Sequence, residues 1–382
     1  MLAWSEPSIT ENLRSLVSVN AAAKRLHNFA AGPATLPLPV LQRVQQDLLA
    51  LPNCGASILE ISHRSPQFVA ILADTERRLR ELLSIPADYH VLFLQGGSRL
   101  QFSMVPMNLL SSGTTAGYVL TGSWGKKALE ESAKEGSTKA VWDGAATNFD
   151  RLPADGDWPN DDSLAYVHFT SNETIHGVQF PDDPVCEAPL VCDASSDFLS
   201  RPIQVDRYGL IYACAQKNAG PAGVTAVIIR SELLERSRPT LPGYLNFQAH
   251  ANEKSMYNTP PTFGIYVMGL VARWLQEEVG GLARMHERNL AKAKCVYDVI
   301  DASGDFYQGH AQTSCRSLMN VTFRLPSDEL QAEFLNEAVR RNLDGLKGHR
   351  SVGGIRASIY NAMTRDGVDA LCDLMVEFHH RN

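Results

Sequence analysis

The sequence contains no apolar run that approaches the ~18 residues needed to cross a membrane. It also lacks an excess of positive charge: its formal net charge is −7 at pH 7, which argues against a protein that binds nucleic acid through bulk charge. Residues 1–27 lack an apolar signal core, and a transit peptide is not favoured there. We therefore expect a soluble globular enzyme, and 382 residues suffice for two domains.

Cysteine is also scarce and unpatterned. The chain has seven cysteines, and no C-x-x-C pair occurs among them. An odd, scattered set is typical of reduced thiols, so we expect a cytoplasmic protein without a disulfide framework. We predict no metal site.

Short apolar strands alternate with helical patterns through the first two thirds of the chain. This alternation predicts an α/β fold with a mainly parallel sheet that helices cover on both faces. Near residue 281 the pattern changes to that of a smaller α+β domain. We expect an N-terminal extension with a short helix (1–27), a large domain (28–280) and a small C-terminal domain (281–382). Whether residues 28–37 pack with the small domain is left open.

Two local patterns in the large domain make further predictions. The segment GASILEISHRSPQF predicts a short strand before His63, followed by a helix that Ser65 and Pro66 begin. The segment AYVHFTSNETIHG predicts a strand that runs into a polar loop at residues 172–174.

A single lysine follows an apolar strand in the middle of the chain. The run IYACA ends just before Lys217, and the Gly/Pro-rich turn NAGPAG follows at once. Residues at strand ends in such folds commonly form binding or catalytic sites. A single lysine at a strand end is, however, also common on a protein surface. A lysine amine can form an imine with an aldehyde, and we therefore predict pyridoxal phosphate as the cofactor.

A carboxylate supports this prediction. Asp193 ends the apolar run PLVCD, 24 positions before Lys217. A carboxylate at the end of a buried strand is costly unless it meets a cation. The protonated ring nitrogen of pyridoxal phosphate is such a cation, so we predict that Asp193 keeps the ring an electron sink.

A glycine-rich turn predicts an anion site. The strand HVLFLQ runs into Gly96, Gly97, Ser98 and Arg99, and a helix follows. Backbone N–H groups at such a helix start, together with the Ser98 hydroxyl, can hold a phosphate. Two glycines in such a turn can also serve packing alone.

Seven segments in this order resemble those of the phosphoserine aminotransferases, a class V, fold-type I family of pyridoxal phosphate enzymes. They are NFAAGPATLP, EISHRSPQF, QGGSRLQF, SNETIHG, AQKNAGPAG, YNTPPTF and KGHRSVGGIRASIYNA, and they span the chain from Asn28 onward. The resemblance implies a homodimer whose active sites lie at the subunit boundary. It also implies transamination between L-glutamate and 3-phosphohydroxypyruvate, giving 2-oxoglutarate and O-phospho-L-serine.

The resemblance also assigns cofactor-binding positions. Lys217 resembles the lysine that forms the Schiff base, and Asp193 the partner of the ring nitrogen. Trp124 resembles the aromatic residue that stacks on the ring, and Thr174 the residue beside its hydroxyl. The remaining positions hold the cofactor phosphate: Ser98, Arg99 and Gln216, with Asn258 and Thr259 from the neighbouring subunit.

Substrate-binding positions follow in the same way. Arg356 resembles the arginine that binds the α-carboxylate. His63 and Arg64 match the positions that bind the distal acid, and His349 and Arg350 resemble further cations for the substrate phosphate. The family also implies a second substrate, phosphohydroxythreonine of vitamin B6 synthesis, as an open alternative.

Two other functions remain open on the sequence alone. A cysteine desulfurase-like lyase would need a reactive cysteine near the cofactor, and Cys315 is the candidate. A binding or regulatory protein of the same fold is the second alternative, although Lys217, Asp193 and Arg356 argue against it.

Overall fold

The computed structural model describes residues 25–52, 54–154, 156–157 and 161–382. The predicted N-terminal extension, with its short helix, therefore lies almost wholly outside the described residues. No helix in the described ranges has the length and apolar character to span a membrane.

Within these ranges a seven-stranded sheet forms the centre of the fold, in the order β2-β10-β9-β8-β5-β3-β4. Strand β10 is antiparallel to both of its neighbours, and the other six strands run in one direction. The strands are β2 (Tyr89–Gln95), β3 (Thr115–Leu120), β4 (Ser137–Asp143), β5 (Tyr166–Thr170), β8 (Leu190–Asp193), β9 (Tyr208–Cys214) and β10 (Val224–Arg230). The expected α/β fold with a mainly parallel sheet is confirmed.

Helices cover both faces of this sheet. In the first part of the chain they are α1 (Leu38–Asp47), α2 (Pro66–Leu83), α3 (Ser98–Leu109), α4 (Ser123–Ser132), α5 (Ser231–Leu234), α6 (Phe247–Asn252) and α7 (Thr262–Trp274). Helix α2 begins as its sequence predicts: Ser65 caps it by accepting a hydrogen bond from the backbone N of Phe68, and Pro66 is its first residue.

The apolar core divides along the sheet, because neighbouring side chains of a strand point to opposite faces. Ile211 and Ile228 belong to one apolar cluster, whereas Tyr212 and Val227 belong to the other. Strands β5 and β9 are buried along their whole length. This is why they read as continuous apolar runs and not as alternating ones.

The C-terminal part has its own sheet and apolar cluster. Strands β11 (Gln308–Gly309), β12 (Asn320–Arg324) and β14 (Ile355–Ser358) form an antiparallel sheet beside helices α8 (Leu282–Asp301), α9 (Asp328–Arg340) and α10 (Arg365–Arg381). Gly280 and Gly281, both with positive φ, separate α8 from the preceding helical turn. The division into domains at this point stays a prediction.

The first described strand joins this C-terminal part. Strand β1 (His27–Asn28) pairs in parallel with β13 (Leu343–Asp344). The next residue, Phe29, is fully buried in the C-terminal apolar cluster. Residues 27–29 thus pack against the C-terminal part, ahead of the segments that form the large sheet.

Two local predictions were wrong. The segment before His63 is a turn, because Ser57 and Glu60 bond the local backbone and compete with strand pairing. The segment after β5 is a buried hairpin, not an exposed polar loop. Its strands are β6 (Asn172–Glu173) and β7 (Val178–Gln179), and all four residues are buried.

Candidate active site

A cavity of about 330 Å³ opens where the parallel strands of the large sheet end. Segments that follow β2, β3, β5, β8 and β9 meet at this edge, as expected for the carboxyl ends of parallel strands. The cavity is lined by nine of the residues that were predicted from the sequence to bind the cofactor or the substrate: Ser98, Arg99, Trp124, Thr174, Asp193, Gln216, Lys217, His349 and Arg356.

Lys217 lies in the tight turn that follows β9. Backbone bonds from Ala219 N (3.0 Å) and Gly220 N (2.8 Å) to Ala215 O close this turn. The Nζ atom of Lys217 donates a hydrogen bond to Thr174 Oγ1 at 2.8 Å. No other lysine in the described part of the chain lines the cavity.

Asp193 is the last residue of β8 and is only 4% exposed. Its Oδ1 atom accepts hydrogen bonds from the backbone N (3.0 Å) and from Oγ (2.5 Å) of Ser195. Tyr212, its partner in the β8–β9 register, opposes the rise that burial causes in the pKa of the carboxylate, and the Tyr212 hydroxyl lies 2.8 Å from His168 Nε2. The bonds from Ser195 fix the orientation of the carboxylate.

The charges of Asp193 and Lys217 influence each other. Burial raises the pKa of Asp193, although the charge of Lys217 and the bonds from Ser195 oppose the shift. Burial lowers the pKa of Lys217, but nearby groups, Tyr360 and Asp193 among them, raise it by more, so that the net shift is upward. A cationic ligand atom beside Asp193 would stabilise the ionised form of this carboxylate, which burial disfavours.

The N-terminus of α3 forms another wall. Gly97 precedes the helix and provides no side-chain cap, so that the first N–H groups of α3 are free of such a partner. Gly97, Ser98 and Arg99 all line the cavity. Ser98 Oγ lies 2.5 Å from Ser195 Oγ and is thereby linked to Asp193. This end of the cavity is suited to an anion.

Trp124 is the second residue of α4 and forms a further wall of the cavity. Its ring centroid lies 6.0 Å from Lys217 Nζ and 4.3 Å from Lys127 Nζ. Its backbone N donates to Glu173 Oε1 at 3.1 Å. The indole ring therefore lies beside the amine of Lys217, where an aromatic ligand would also lie.

Two basic side chains approach the cavity from the C-terminal part, and burial together with nearby positive charges lowers the pKa of His349. Arg356 belongs to β14, and His349 to the turn before it; His349 Nδ1 lies 2.7 Å from Ser351 Oγ. Both residues also line a second cavity of about 300 Å³, together with His310 and Arg324. Burial lowers the pKa of Arg356. The two cavities thus share a cationic boundary that suits an anionic ligand.

Five nominated residues do not line the cavity within this chain. Arg64, Thr259 and Arg350 are exposed, and His63 is half-buried. Asn258 Nδ2 donates to Gln95 Oε1 at 3.4 Å, at the end of β2. Their roles stay predictions, because the resemblance takes Asn258 and Thr259 from a neighbouring subunit.

Cys315 does not have the environment of a reactive thiol. It is buried, and its Sγ donates to the carbonyls of Asp150 (3.3 Å) and Gln312 (3.4 Å). Burial raises its pKa to about 11, so the thiolate that acts as a nucleophile is disfavoured. It also lies outside the lining of the cavity.

Comparison with known proteins decides the family. The model of the aminotransferase class-V family matches residues 26–371. The chain belongs to the class-V aminotransferases. It is 57% identical to the phosphoserine aminotransferase of Rhodopirellula baltica, covering 94% of this chain and 96% of that protein. It is 52% identical to the same-named protein of Geobacillus kaustophilus, covering 94% and 99%.

Solved structures of this family have the same architecture. The phosphoserine aminotransferase from Bacillus circulans subsp. alkalophilus matches with a TM-score of 0.92 and 46% identity, covering 94% of this chain and 99% of that one. The PLP-bound phosphoserine aminotransferase from Trichomonas vaginalis matches with a TM-score of 0.88 and 39% identity, covering 92% and 100%. The fold is therefore the fold-type I architecture that the sequence predicted.

Class-V aminotransferases use pyridoxal phosphate, and the residues of the cavity fit this cofactor. Four residues of the cavity lining each carry a buried polar side-chain atom that has no hydrogen-bond partner among the described residues. The atoms are Trp124 Nε1, Thr170 Oγ1, Gln216 Oε1 and Arg356 Nε. Because an unpartnered buried polar atom costs about 1–3 kcal/mol, these atoms favour a polar ligand.

Sequence reasoning missed three residues that support the site: Glu173, Ser195 and Tyr212. The serine had a local signal, since a hydrogen bond to a carboxylate two residues earlier is common in turns. Tyr212 and Glu173 had none, because their partners are distant in sequence.

Proposed function

We propose that this protein transfers an amino group between L-glutamate and 3-phosphohydroxypyruvate, giving 2-oxoglutarate and O-phospho-L-serine in serine biosynthesis. The observation that carries the proposal is the single cavity lined by Lys217, Asp193 and Arg356, in a chain 57% identical to a phosphoserine aminotransferase. Phosphohydroxythreonine of vitamin B6 synthesis is included as a second substrate, because it presents the same anionic tail.

The cofactor would be held at three points. Lys217 Nζ would anchor it covalently, Asp193 would pair with its ring nitrogen, and the N-terminus of α3 at Ser98 would hold its phosphate. Trp124 and Thr174 would flank the ring. When bound, pyridoxal phosphate supplies an aldehyde that captures amines and a ring that withdraws electrons.

Lys217 would also move the proton of the reaction. Its Nζ is the lysine nitrogen that reaches the cavity. Once the substrate amine has replaced it on the cofactor, the free amine of Lys217 would take the proton from the substrate Cα and return it during the exchange. The hydrogen bond to Thr174 Oγ1 holds this nitrogen on the side of β6. Asp193 would remain ionised beside the cationic ring nitrogen.

Both amino acids of the proposed reaction are diacids, and the cations of the site fit this requirement. Arg356 would bind the α-carboxylate, because a guanidinium holds a carboxylate through two hydrogen bonds. His349 and Arg350 would bind the anionic tail, together with His63 and Arg64. On a chain of net charge −7, this local positive field favours the capture of small anions.

We further propose a homodimer in the cytoplasm. His63, Arg64, Asn258 and Thr259 are not among the lining residues of the cavity within one chain, which supports sites completed by a second copy. None of the seven cysteines, all of which lie in the described ranges, forms a disulfide, which favours a reducing compartment.

Absorbance of the purified protein with pyridoxal phosphate tests the activity. L-glutamate should bleach the visible band of the bound cofactor and release 2-oxoglutarate, and 3-phosphohydroxypyruvate should restore the band. Lys217→Ala serves as the control and should show neither change. An unchanged band with glutamate, or sulfide release from L-cysteine, would contradict the proposal.

A further inference from the structure

Glu173 is a fully buried carboxylate that the proposed mechanism does not use. It belongs to the short hairpin strand β6, and its side chain is 0% exposed. Its Oε1 atom accepts hydrogen bonds from the backbone N of Trp124 (3.1 Å) and of Gly125 (3.0 Å). A buried carboxylate is thus tied to the backbone of the aromatic wall of the cavity.

These two N–H groups are the ones that a helix cap satisfies. Trp124 and Gly125 are the second and third residues of α4, and an N-cap side chain normally accepts from these positions. Gly122 occupies the cap position and has no side chain with which to do so. Glu173, 49 residues after Trp124, supplies the missing acceptor, and when it is ionised its charge is favourable at a helix N-terminus.

Gly122 leaves the space that this carboxylate needs. A Cβ atom on Gly122 would lie 2.6 Å from Glu173 Oε2, which is closer than real Cβ contacts allow. The φ of Gly122 is 170°, an extended value that any residue adopts, so the requirement for glycine is steric. Gly122 and Glu173 therefore form one fitted contact.

We propose that Glu173 is a positioning residue: its carboxylate anchors the N-terminus of α4 and thereby holds Trp124 in place to contact the cofactor. The residue acts through Trp124, because it does not itself line the cavity. The inference rests on the proposed function only in taking pyridoxal phosphate as the ligand of the cavity.

Glu173 also lies close to the residues of the proposed active site. It lies within the electrostatic range of both Lys217 and Asp193. Its neighbour Thr174 accepts the hydrogen bond of Lys217. One short hairpin therefore positions Trp124 through Glu173 and holds the lysine amine through Thr174.

The test uses four variants of the full chain: Glu173→Ala, Glu173→Gln, Gly122→Ala and the double variant Gly122→Ala/Glu173→Ala. Pyridoxal phosphate is titrated into each protein freed of cofactor. Binding is followed by the quenching of tryptophan fluorescence, and the same titration with Trp124→Phe isolates the contribution of Trp124. Glu337→Ala is the matched control, since Glu337 is a carboxylate only 8% exposed that accepts from Arg341 and Arg381 in the C-terminal part.

We expect Glu173→Ala to bind pyridoxal phosphate about tenfold more weakly, because the ligand must then order a helix start that has lost its cap. In the same variant, the part of the fluorescence quenching that is assigned to Trp124 should also decrease. Glu173→Gln keeps an oxygen that accepts from both N–H groups, so its affinity should stay within about threefold of the unmodified protein. Glu337→Ala should lower the stability of the protein without changing its affinity for pyridoxal phosphate or the quenching assigned to Trp124.

The double variant separates a direct contact from a general loss of stability. Gly122→Ala alone should weaken binding as Glu173→Ala does, and combining the two should add little further loss, because they disrupt the same contact. Unchanged affinity and quenching in Glu173→Ala would overturn the proposal, as would equal losses in Glu337→Ala or fully additive losses in the double variant. If Glu173→Ala does not fold, Gly122→Ala decides: unchanged affinity and quenching in that variant would overturn the proposal. None of these measurements needs an amino-acid substrate, so a failure of the proposed reaction would be seen separately.

Discussion

At the scale of single residues, the carboxylate of Asp193 is the group whose chemistry is most constrained. It is buried, it is oriented by Ser195, and burial raises its pKa in the protein without a ligand. Placing a cationic ring nitrogen beside it would reverse that shift, since an opposite charge favours the ionised form. The cofactor and the carboxylate would therefore stabilise each other.

We expect Asp193→Asn to fold and to bind pyridoxal phosphate, but to lose turnover. Removing one charge of a buried pair costs about 3–5 kcal/mol, and if this is felt in the transition state the rate falls on the order of 10²–10³-fold. Steady-state assay of phosphoserine formation measures this loss. The control is Asp197→Asn, the same change in a neighbouring buried carboxylate that does not line the cavity; it should retain turnover. Near-normal turnover in Asp193→Asn would remove its assigned role.

Glu173 predicts a dependence of stability on pH. Burial raises its pKa from 4.5 to about 7, while the backbone N–H groups of Gly125 and Trp124 and the charge of Lys217 oppose the shift and Asp193 adds to it. Between these values the unfolded chain has released this proton and the folded protein keeps it. The contribution of Glu173 to the free energy of unfolding therefore falls as pH rises through this window.

We expect Glu173→Gln, which has no such proton, to lose stability less steeply over this range. Urea unfolding of both proteins without cofactor, at about pH 5 and about pH 8, measures the difference. If the gap between the two proteins were the same at both values, the assigned pKa would be wrong.

At the scale of elements, buried polar contacts join segments that are far apart in the chain. Lys292 of α8 is an example. Its Nζ atom donates to the backbone carbonyls of Ile359 (2.9 Å), Tyr360 (2.6 Å) and Met363 (3.2 Å). Tyr360 OH in turn donates to Ala31 O, and Ala31 lines the cavity. A buried lysine thus fixes the loop after β14 beside the site.

We expect Lys292→Met to lower the free energy of unfolding by about 2–3 kcal/mol, because three buried carbonyls lose their donor. Lys294→Met is the control: Lys294 is exposed and pairs with Asp298, so its loss should change stability by less than about 1 kcal/mol. Urea unfolding of the two variants measures both effects. If both variants lost the same free energy of unfolding, the three hydrogen bonds from Lys292 to backbone carbonyls would contribute nothing to stability.

At the scale of the whole molecule, one chain by itself does not complete the proposed substrate site. His63 and Arg64 lie outside the lining of the cavity within one chain. A second copy related by two-fold symmetry is the simplest source of the missing cations, since most homo-oligomers are closed dimers.

Mixing two inactive variants tests this arrangement. We expect Arg64→Ala and Lys217→Ala to be inactive alone but to regain about a quarter of the activity after subunit exchange, because half of the dimers then carry one intact site. Sedimentation measures the dimer, and phosphoserine formation measures the recovery. Recovery would not occur if Arg64 served the cavity of its own chain, and each variant refolded alone provides the baseline.

The sequence alone determined the chemistry and the order of the elements. Asp193 ends one apolar strand and Lys217 follows another closely. Parallel strands bring their carboxyl ends to one edge, so the meeting of the two residues followed from local pattern and fold class. Only the tertiary structure decided that Glu173 lies in a buried hairpin against Gly122, and that the segment before His63 forms a turn. The reason is physical: strand and helix patterns are set by neighbours in the chain, whereas the burial of a polar side chain depends on partners that distant segments supply.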